Sequence, residues 1–431
     1  PTFIIVMWPA WHAWQATRCL LHWAPARFTP HVRCVRRVSV QAVSLSMARL
    51  EQLLEAEITT LALRTPRPLT LQSLLDVATK SSADELAQLL HEELPVHFAQ
   101  RIKMIEALPE WHCKPSIAVV REMYMTSFKE LRLADPQRPE HFYAQIRSIK
   151  ERHSQTKLLV GGLRQYASEL SVLEINEWLD KFFSLRLSTN MLMSQYIQMS
   201  TGRSQSVDGA FLDLPDSPYR TSVDPQCNIP RIASYAASIV RQLSLLRYGV
   251  APAIEVHDYG TEAIPFIPKY FLYIASELLK NAVRATVEWH TPHADVDGVC
   301  GGEGLPPVHV AVSGDELGCC CRISDEGGGI PKAQLPHIWS YLYTTAEPLE
   351  MTLSRKSVDV PADPRLDQDG LGFGMDSCGA PLAGSGCGLP LSRLYATHFE
   401  GSVELQSMPR FGTDVYVYVN GLGHNERLTP L

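Results

Sequence analysis

The chain has 431 residues, of which 45% are hydrophobic and 20% are charged, values typical of a folded soluble protein. Its formal net charge of −7 argues against nucleic acid as the main partner, because such a partner calls for a basic face. No apolar run approaches the roughly 18 residues that span a bilayer, so no membrane span is expected. The length favours two domains.

Residues 1–50 predict a targeting segment outside the fold. They contain six arginines and several serines but no Asp or Glu, a composition that resembles a mitochondrial transit peptide. A disordered basic tail without targeting meaning is the alternative. We therefore expect the first folded domain to begin at residue 51.

The stretch 51–203 predicts a helical domain. Within residues 178–199, large side chains recur at alternating steps of four and three residues, which is the spacing of one helix face. Segments 82–107 and 114–133 are also expected to be helical, and prolines mark the breaks between helices. Four long helices with short connections favour a four-helix bundle. The polar, turn-rich residues 204–228 are expected to form an interdomain linker.

Residues 277–284, ELLKNAVR, predict a helix with one functional face. Glu277, Asn281 and Arg284 recur at steps of four and three residues, so they project from the same side. A carboxamide oxygen is a hard ligand for Mg²⁺, and a neighbouring carboxylate can take a proton. This face therefore suits a site for a divalent cation and phosphates, and an ordinary amphipathic helix is the alternative. The opposite stripe is apolar and contains Phe271, Ala275, Leu278, Ala282 and Ala285.

Two glycine-rich segments follow this helix. In RISDEGGGIP, residues 322–331, a short strand ends at Asp325 and three glycines come next; in GSGCGLP, residues 384–390, glycine alternates with other residues ahead of a helical segment. Consecutive glycines let a backbone approach a ligand closely, and a glycine-rich loop that opens a helix offers free N–H groups to anions. Each segment alone is typical of a plain turn, but the three stretches in this order indicate a nucleotide site.

Residues 229–421 predict a second domain in which helices cover one face of a mixed sheet. Helices are expected at about 229–247 and at 332–343. The Gly/Pro/Asp-containing stretch of about 344–383 lies between the two glycine-rich segments, and we expect it to be a nucleotide lid. Residues 422–431 would form a C-terminal tail. Strands are expected in AIEVHDYG, VHVAVSG and CCCRISD, and near 402–407 and 413–419.

The order of these segments resembles the N, G1, G2 and G3 boxes of the ATP-binding fold shared by gyrase-type ATPases, heat-shock chaperones, histidine kinases and mitochondrial 2-oxo acid dehydrogenase kinases. The last group is favoured by the strings ELLKNAVRATVE, RISDEGGGIP, SYLYTTAEP, GLPLSRLYA and FGTDVYVYV. Residues 93–102 and 224–229, ELPVHFAQRI and DPQCNI, resemble segments of pyruvate dehydrogenase kinases. The similarity runs from about residue 70 to about residue 420. It implies an α+β fold class, with an N-terminal four-helix bundle followed by a gyrase/histidine-kinase-type ATP-binding α/β sandwich.

The resemblance also implies roles for individual residues. Asp325 would accept a hydrogen bond from the exocyclic amine of adenine, and Thr413 would add a hydroxyl group. Asn281 would hold Mg²⁺ at the phosphates of ATP, and Glu277 would be the catalytic base. The other nucleotide-binding residues would be Arg284, Gly327, Gly329, Thr344, Thr345, Gly384, Gly386, Gly388 and Leu389.

The function that the resemblance implies is that of an ATP-dependent protein serine kinase in the mitochondrial matrix. It would phosphorylate and inactivate the α subunit of a 2-oxo acid dehydrogenase, with pyruvate dehydrogenase as the favoured target. The lipoyl domain of the complex core and a second copy of the chain are further implied partners. A branched-chain 2-oxo acid dehydrogenase kinase is the alternative, because Tyr273 stands where pyruvate dehydrogenase kinases carry a histidine.

Two further alternatives belong to other functional classes. In a chaperone-like ATPase, Glu277 would activate water instead of a serine. In an autophosphorylating histidine kinase, His153 would be the phosphoacceptor. His153 follows Phe142, Ile146 and Ile149 at helical spacing on an apolar stripe, which favours a packed or hydrogen-bonded structural histidine.

Overall fold

The described part of the chain omits several predicted segments. Residues 1–46 of the predicted transit peptide, most of the linker, most of the lid, Gly384 and the C-terminal tail lie outside it, whereas residues 47–50 belong to a described helix. The domain boundaries expected at residues 50, 203 and 228 stay predictions. The computed structural model describes residues 47–67, 69–153, 156–201, 223–291, 304–345 and 386–421.

The N-terminal half of the described chain is helical. Residues 1–57 and residues 58–431 form two units, and the described residues of the first unit are helical. Helices α3, α4, α5 and α7 pack against one another in the second unit, which agrees with the predicted bundle. The helices are α1 (Met47–Ala62), α2 (Leu71–Lys80), α3 (Ala83–Glu106), α4 (Pro115–Leu133), α5 (Pro139–Arg152), α6 (Thr156–Leu163) and α7 (Val172–Thr201).

Local sequence signals set the ends of the bundle helices. Ser82 caps α3 with its side chain, which accepts from the N–H of Glu85 at 3.2 Å, while Glu85 Oε2 accepts from the N–H of Ser82 at 2.8 Å. This reciprocal pair satisfies two donors that a helix start leaves free. Pro115 and Pro139 occupy the first positions of α4 and α5, where a missing N–H costs no helical bond.

The C-terminal half contains a five-stranded sheet in the order β2-β4-β5-β7-β6. Strands β2 and β4 are parallel and the other neighbours are antiparallel, so the sheet is mixed as predicted. Strands β1 and β3 pair in a separate two-stranded sheet. The elements are β1 (Asp224–Cys227), α8 (Ile229–Tyr248), β2 (Ile254–Asp258), β3 (Ile264–Phe266), α9 (Pro268–His290), β4 (Val308–Asp315), β5 (Gly318–Asp325), α10 (Gly388–His398), β6 (Ser402–Met408) and β7 (Gly412–Asn420).

Helices α8, α9 and α10 cover one face of this sheet. Val308, Val310 and Val312 are buried on β4, and Ile323 and Asp325 are buried on β5, whereas the intervening residues are more exposed. Because side chains alternate between the faces of a sheet, the helix-covered face carries the core. Asp325 therefore points toward the helices at the end of β5.

The predicted helix at 332–343 is wrong. Only Leu335–His337 form a short 3₁₀ turn there, and the flanking residues are turns. Pro336 has no N–H to donate, and Leu342 has a φ of 67° that no α-helix contains. Strand β1 was not foreseen either, since it occupies the last residues of the expected linker.

None of the helices in the described parts of the chain combines the length and the apolar character that crossing a membrane requires.

Candidate active site

A cavity of about 370 Å³ lies between α9, the ends of β5 and β7, and the start of α10. It brings together every residue predicted for the nucleotide site that the structure describes. Gly384 is outside the described residues. The predicted residues that line the cavity are Glu277, Asn281, Arg284, Asp325, Gly327, Gly329, Thr344, Thr345, Gly386, Gly388, Leu389 and Thr413.

Helix α9 supplies one wall of the cavity through its polar face. Glu277, Asn281 and Arg284 line the cavity, and so do Leu278, Ala282 and Ala285 of the apolar stripe, whereas Phe271 at the start of that stripe is buried in the core. Pro268 at the first position fixes the start of the helix. Glu277, Asn281 and Arg284 share the cavity side of α9, as their spacing predicts, but the apolar stripe is not separate from the cavity, because three of its residues also line it.

Glu277 forms an ion pair that sequence reasoning missed. The Nζ atom of Lys280 lies 2.5 Å from Glu277 Oε1, and the two side chains are only 11% and 9% exposed, respectively. The other carboxylate oxygen faces Gly388, where an added Cβ would lie 2.5 Å from Oε2. The spacing of three residues between Glu277 and Lys280 on a helix is the signal that could have revealed the pair.

Tyr273 lies one helical turn before Glu277 and is buried. Its ring packs against Tyr395 of α10, with centroids 5.0 Å apart. Burial raises the pKa of the Tyr273 phenol well above its usual value, and the nearby charge of Glu277 adds to this effect. The phenol of Tyr273 therefore stays protonated.

Asp325 lies at the base of the cavity and is 7% exposed. Burial raises the pKa of its carboxyl group to about 6, while hydrogen bonds from the N–H groups of Gly327 and Thr413 oppose the shift. The Gly327 nitrogen lies 2.9 Å from Asp325 Oδ1. A buried carboxylate beside a backbone turn can accept from an amine of a ligand. Residues Asp325 and Thr413 are also register partners on β5 and β7.

Ser407 is a second residue that sequence reasoning missed. Its Oγ atom lies 3.0 Å from Thr413 Oγ1 and accepts from the N–H of Ile330 at 2.7 Å. It thereby connects the hydroxyl group of the predicted adenine site to the loop after the three glycines. No local pattern indicates this link, because it joins residues 77 positions apart.

The glycines at 327 and 329 are required by close packing. An added Cβ at Gly327 would lie 2.5 Å from the Ala285 Cβ, and one at Gly329 would lie 2.2 Å from the Met408 carbonyl oxygen. Gly329 also has a φ of 69°, which side chains other than glycine rarely adopt. The backbone can therefore pass close to α9 and to the turn before β7.

The first turn of α10 forms the opposite wall of the cavity. Gly388 begins the helix, and Gly386 approaches it with a φ of 77°. The first N–H groups of a helix have no partner within it and carry partial positive charge. Gly388 and Leu389 therefore offer donors suited to an anionic ligand, as the glycine-rich sequence predicts.

Hydrogen bonds connect the rim of the cavity to α9 in the C-terminal half and to α7 in the bundle. Arg284 donates from Nη2 to Thr345 Oγ1 at 3.1 Å. A few residues earlier, the Tyr341 hydroxyl donates to Asp180 Oδ1 at 2.7 Å, and the Tyr341 N–H donates to Asn176 Oδ1 at 2.9 Å. Because Asn176 and Asp180 belong to α7, these bonds join the bundle to the segment that leads to Thr344 and Thr345.

His153 lies in the bundle core, away from the residues that line this cavity. It is 1% exposed, its Nε2 atom lies 2.9 Å from Ser127 Oγ, and its ring packs against Tyr124 with centroids 4.5 Å apart. Burial, and then the charge of Arg101, hold its pKa well below the usual range. A side chain so enclosed is a structural histidine, so the autophosphorylation alternative is not favoured.

Comparisons with known proteins agree with both halves of this architecture. The model of mitochondrial branched-chain alpha-ketoacid dehydrogenase kinases matches residues 68–222, and the model of histidine kinase-, DNA gyrase B- and HSP90-like ATPases matches residues 268–421. The mitochondrial [pyruvate dehydrogenase (acetyl-transferring)] kinase of Arabidopsis thaliana is 30% identical over 80% of this chain and 87% of its own length. The chain belongs to the mitochondrial 2-oxo acid dehydrogenase kinase family.

Other members of the family are similar over comparable lengths. Isozyme 3 of Homo sapiens is 28% identical over 83% of each chain, and the kinase of Drosophila melanogaster is 29% identical over 89% of this chain and 88% of its own length. The match to the ATPase model confirms the predicted α+β fold class and supports ATP as the nucleotide. Family membership confirms the prediction of a mitochondrial protein kinase.

Proposed function

We propose that the protein transfers the γ-phosphoryl group of ATP to a serine on the α subunit of mitochondrial pyruvate dehydrogenase and thereby inactivates that complex. The names of the similar proteins support this target, because each of the three compared above is a pyruvate dehydrogenase kinase. The observation that carries the proposal is the cavity, in which all the described residues of the predicted ATP site meet.

The donor groups of the cavity fit an adenine nucleotide. In our proposal, the Asp325 carboxylate accepts from the exocyclic amine, and Thr413 adds its hydroxyl group. The N–H groups of Gly388 and Leu389 face the phosphates. Arg284 supplies positive charge at the rim, where it already binds Thr345.

A magnesium ion also fits the donor set. Asn281 lines the cavity and has a carboxamide oxygen, and Mg²⁺ in nucleotide sites takes few protein ligands and keeps several waters. When bound with ATP, the ion would neutralise charge that develops on the phosphates. Asn281 is the residue that we assign to it.

Glu277 is the proposed base for the transfer. As the seryl oxygen bonds to the γ-phosphorus, the bond to the ADP oxygen breaks and the seryl proton passes to the Glu277 carboxylate. The ammonium group of Lys280 holds Oε1, which fixes the orientation of the carboxylate. The other oxygen, Oε2, faces the phosphate-binding turn at Gly388.

The remaining partners and the compartment rest on family resemblance. We propose that the protein acts in the mitochondrial matrix, binds the lipoyl domain of the complex core and forms a homodimer.

The branched-chain 2-oxo acid dehydrogenase kinase is the second candidate. It is favoured by the family model that matches residues 68–222 and by Tyr273 one helical turn before Glu277. Against it stand the names of the similar proteins that cover most of the chain.

One experiment separates the candidates. The purified protein is incubated with γ-labelled ATP and, in parallel reactions, with the pyruvate and the branched-chain dehydrogenase complexes. We expect acid-stable label on serine of the pyruvate dehydrogenase α subunit and loss of that complex's activity. Label confined to the branched-chain complex would support the second candidate. Release of free phosphate without protein label would support an ATPase and contradict both kinase proposals.

A further inference from the structure

Three side chains with metal-binding groups meet on the sheet face that turns away from the nucleotide cavity. Glu255 and His257 are on β2, and His309 is on β4, directly opposite Glu255 in the parallel register. Since side chains alternate along each strand, these three share one face. The neighbouring Val310 is buried on the other face with Ile323, on the side that α9 covers.

The spacing of the three side chains matches a metal coordination sphere. Glu255 Oε2 lies 3.3 Å from His309 Nδ1 and 3.6 Å from His257 Nε2. One ligand atom from each residue lies within 4.8 Å of the others. Tetrahedral Zn²⁺ with bonds of about 2.1 Å places its ligand atoms about 3.4 Å apart. Small side-chain rotations would therefore bring all three atoms onto one ion.

We propose that Glu255, His257 and His309 bind a divalent transition-metal ion, with Zn²⁺ as the expected occupant and water in the fourth position. Two imidazole nitrogens and one carboxylate oxygen are a ligand set that Zn²⁺ accepts. Mg²⁺ prefers oxygen ligands only, so the ion of the nucleotide site does not compete well here.

Exposure and topology give this site its properties. The side chains of His257, Glu255 and His309 are 52%, 47% and 42% exposed, so an ion can reach them and solvent can complete its shell. Strand β2 is the edge strand of the sheet. An ion held by two residues of β2 and one of β4 would cross-link this edge to the interior of the sheet.

Metal titration of the purified full chain tests the proposal. The protein is stripped of metal with a chelator and then titrated with Co²⁺ in the absence of nucleotide and Mg²⁺. Visible absorption reports nitrogen-coordinated Co²⁺, and Zn²⁺ is then used to displace the Co²⁺. All variants carry Cys113→Ser, because the Cys113 thiol is exposed and binds the same metals. We expect one equivalent to bind. His257→Asn, His309→Asn and Glu255→Gln should each weaken binding at least about tenfold.

A matched control and a second measurement keep the result interpretable. His141→Asn removes an exposed histidine from α5 and should leave binding unchanged. Zn²⁺ should raise the Tm of the parent but not that of folded Glu255→Gln. Absence of binding to the parent, or full affinity in the His257→Asn/His309→Asn double variant, would show that the cluster is an ion pair only and overturn the proposal. Neither outcome bears on the kinase activity, which uses the other face of the sheet.

Discussion

The ammonium group of Lys280 lies 2.5 Å from the carboxylate of Glu277, which lines the cavity one turn earlier on α9. A proton-accepting carboxylate is useful only if it stays ionised and correctly oriented. Lys280 holds Oε1 of Glu277 and so orients the carboxylate. It is therefore a positioning residue, whereas Glu277 is the residue that we place at the reacting serine.

Replacement of Glu277 should separate nucleotide binding from phosphotransfer. Glu277→Gln keeps the shape of the side chain but removes the proton acceptor. We expect ATP to bind with nearly unchanged Kd, while the rate of serine phosphorylation falls by a factor of at least about 10². Nucleotide fluorescence and label transfer measure the two quantities. Phosphorylation by the variant at the parent rate would refute the assignment of the base.

The ion pair between Lys280 and Glu277 should also contribute to the free energy of unfolding. Lys280→Met leaves the buried Glu277 carboxylate without this partner, and we expect the free energy of unfolding to fall by about 1–3 kcal/mol. Adding Glu277→Gln to this variant should restore part of the loss, because no buried charge is then left uncompensated. Denaturant unfolding of the parent, both single variants and the double variant provides the cycle. Strict additivity would contradict a coupled pair.

Nucleotide binding should weaken below about pH 6 because of Asp325. Burial raises the pKa of this carboxyl group to about 6, so it is ionised and can accept from adenine above that pH and is protonated below it. We expect the Kd for ATP to rise as the pH falls from 7.5 to 5.5. Titration of Asp325→Asn should show weak binding with little pH dependence in this window.

The raised pKa of Asp325 also predicts how the stability of the nucleotide-free protein changes with pH. Since the pKa of Asp325 is higher in the folded state than its unfolded value near 3.8, the unfavourable contribution of this group grows as the pH rises from about 4 to about 6 and is constant above. Asp325→Asn should therefore raise the free energy of unfolding at pH 7.5 by about 1–3 kcal/mol. A variant less stable than the parent at pH 7.5 would contradict the burial of an ionised carboxylate.

Gly329 should be far less tolerant of a side chain than another glycine with the same backbone conformation. Gly260 has a φ of 81° and nothing within 4 Å of an added Cβ, whereas Gly329 has a φ of 69° and a carbonyl oxygen at 2.2 Å. Gly260→Ala should cost only the left-handed strain of about 1–2 kcal/mol. Gly329→Ala should cost clearly more and should weaken ATP binding, as thermal unfolding and nucleotide titration will measure. Equal losses in the two variants would exclude the close approach as the cause.

Local patterns predicted the parts of the fold whose causes are local. The polar face of α9 and the strand that ends at Asp325 each depend on residues a few positions apart, and the structure contains both. The helix expected at 332–343 is absent because Pro336 has no N–H to donate and Leu342 takes a left-handed conformation. Strand β1 failed because its partner β3 lies about 40 residues away.

The residues of the cavity also divide into those that local patterns predict and those that depend on contacts between distant segments. Its glycines and its polar helix face were evident from spacing, since each belongs to one short segment. Ser407 and the Tyr341 contacts were not, because Ser407 meets Ile330 and Tyr341 meets Asp180 only after the chain has folded. A residue that supports a site from a different element of the fold cannot be recognised in the sequence pattern of either element.

The hydrogen bonds between Tyr341 and α7 connect the helical bundle to the segment that borders the candidate ATP site. Helix α7 has 30 residues and so measures about 45 Å from end to end. Asn176 and Asp180 lie near its beginning, and Arg186, further along, donates to the His153 carbonyl in the bundle core at 3.0 Å. A tilt of α7 would shift Tyr341 and, three residues further along the chain, Thr344 at the rim of the cavity. By reciprocity, if such a tilt changes the affinity for nucleotide, nucleotide binding shifts the position of α7 with the same coupling free energy.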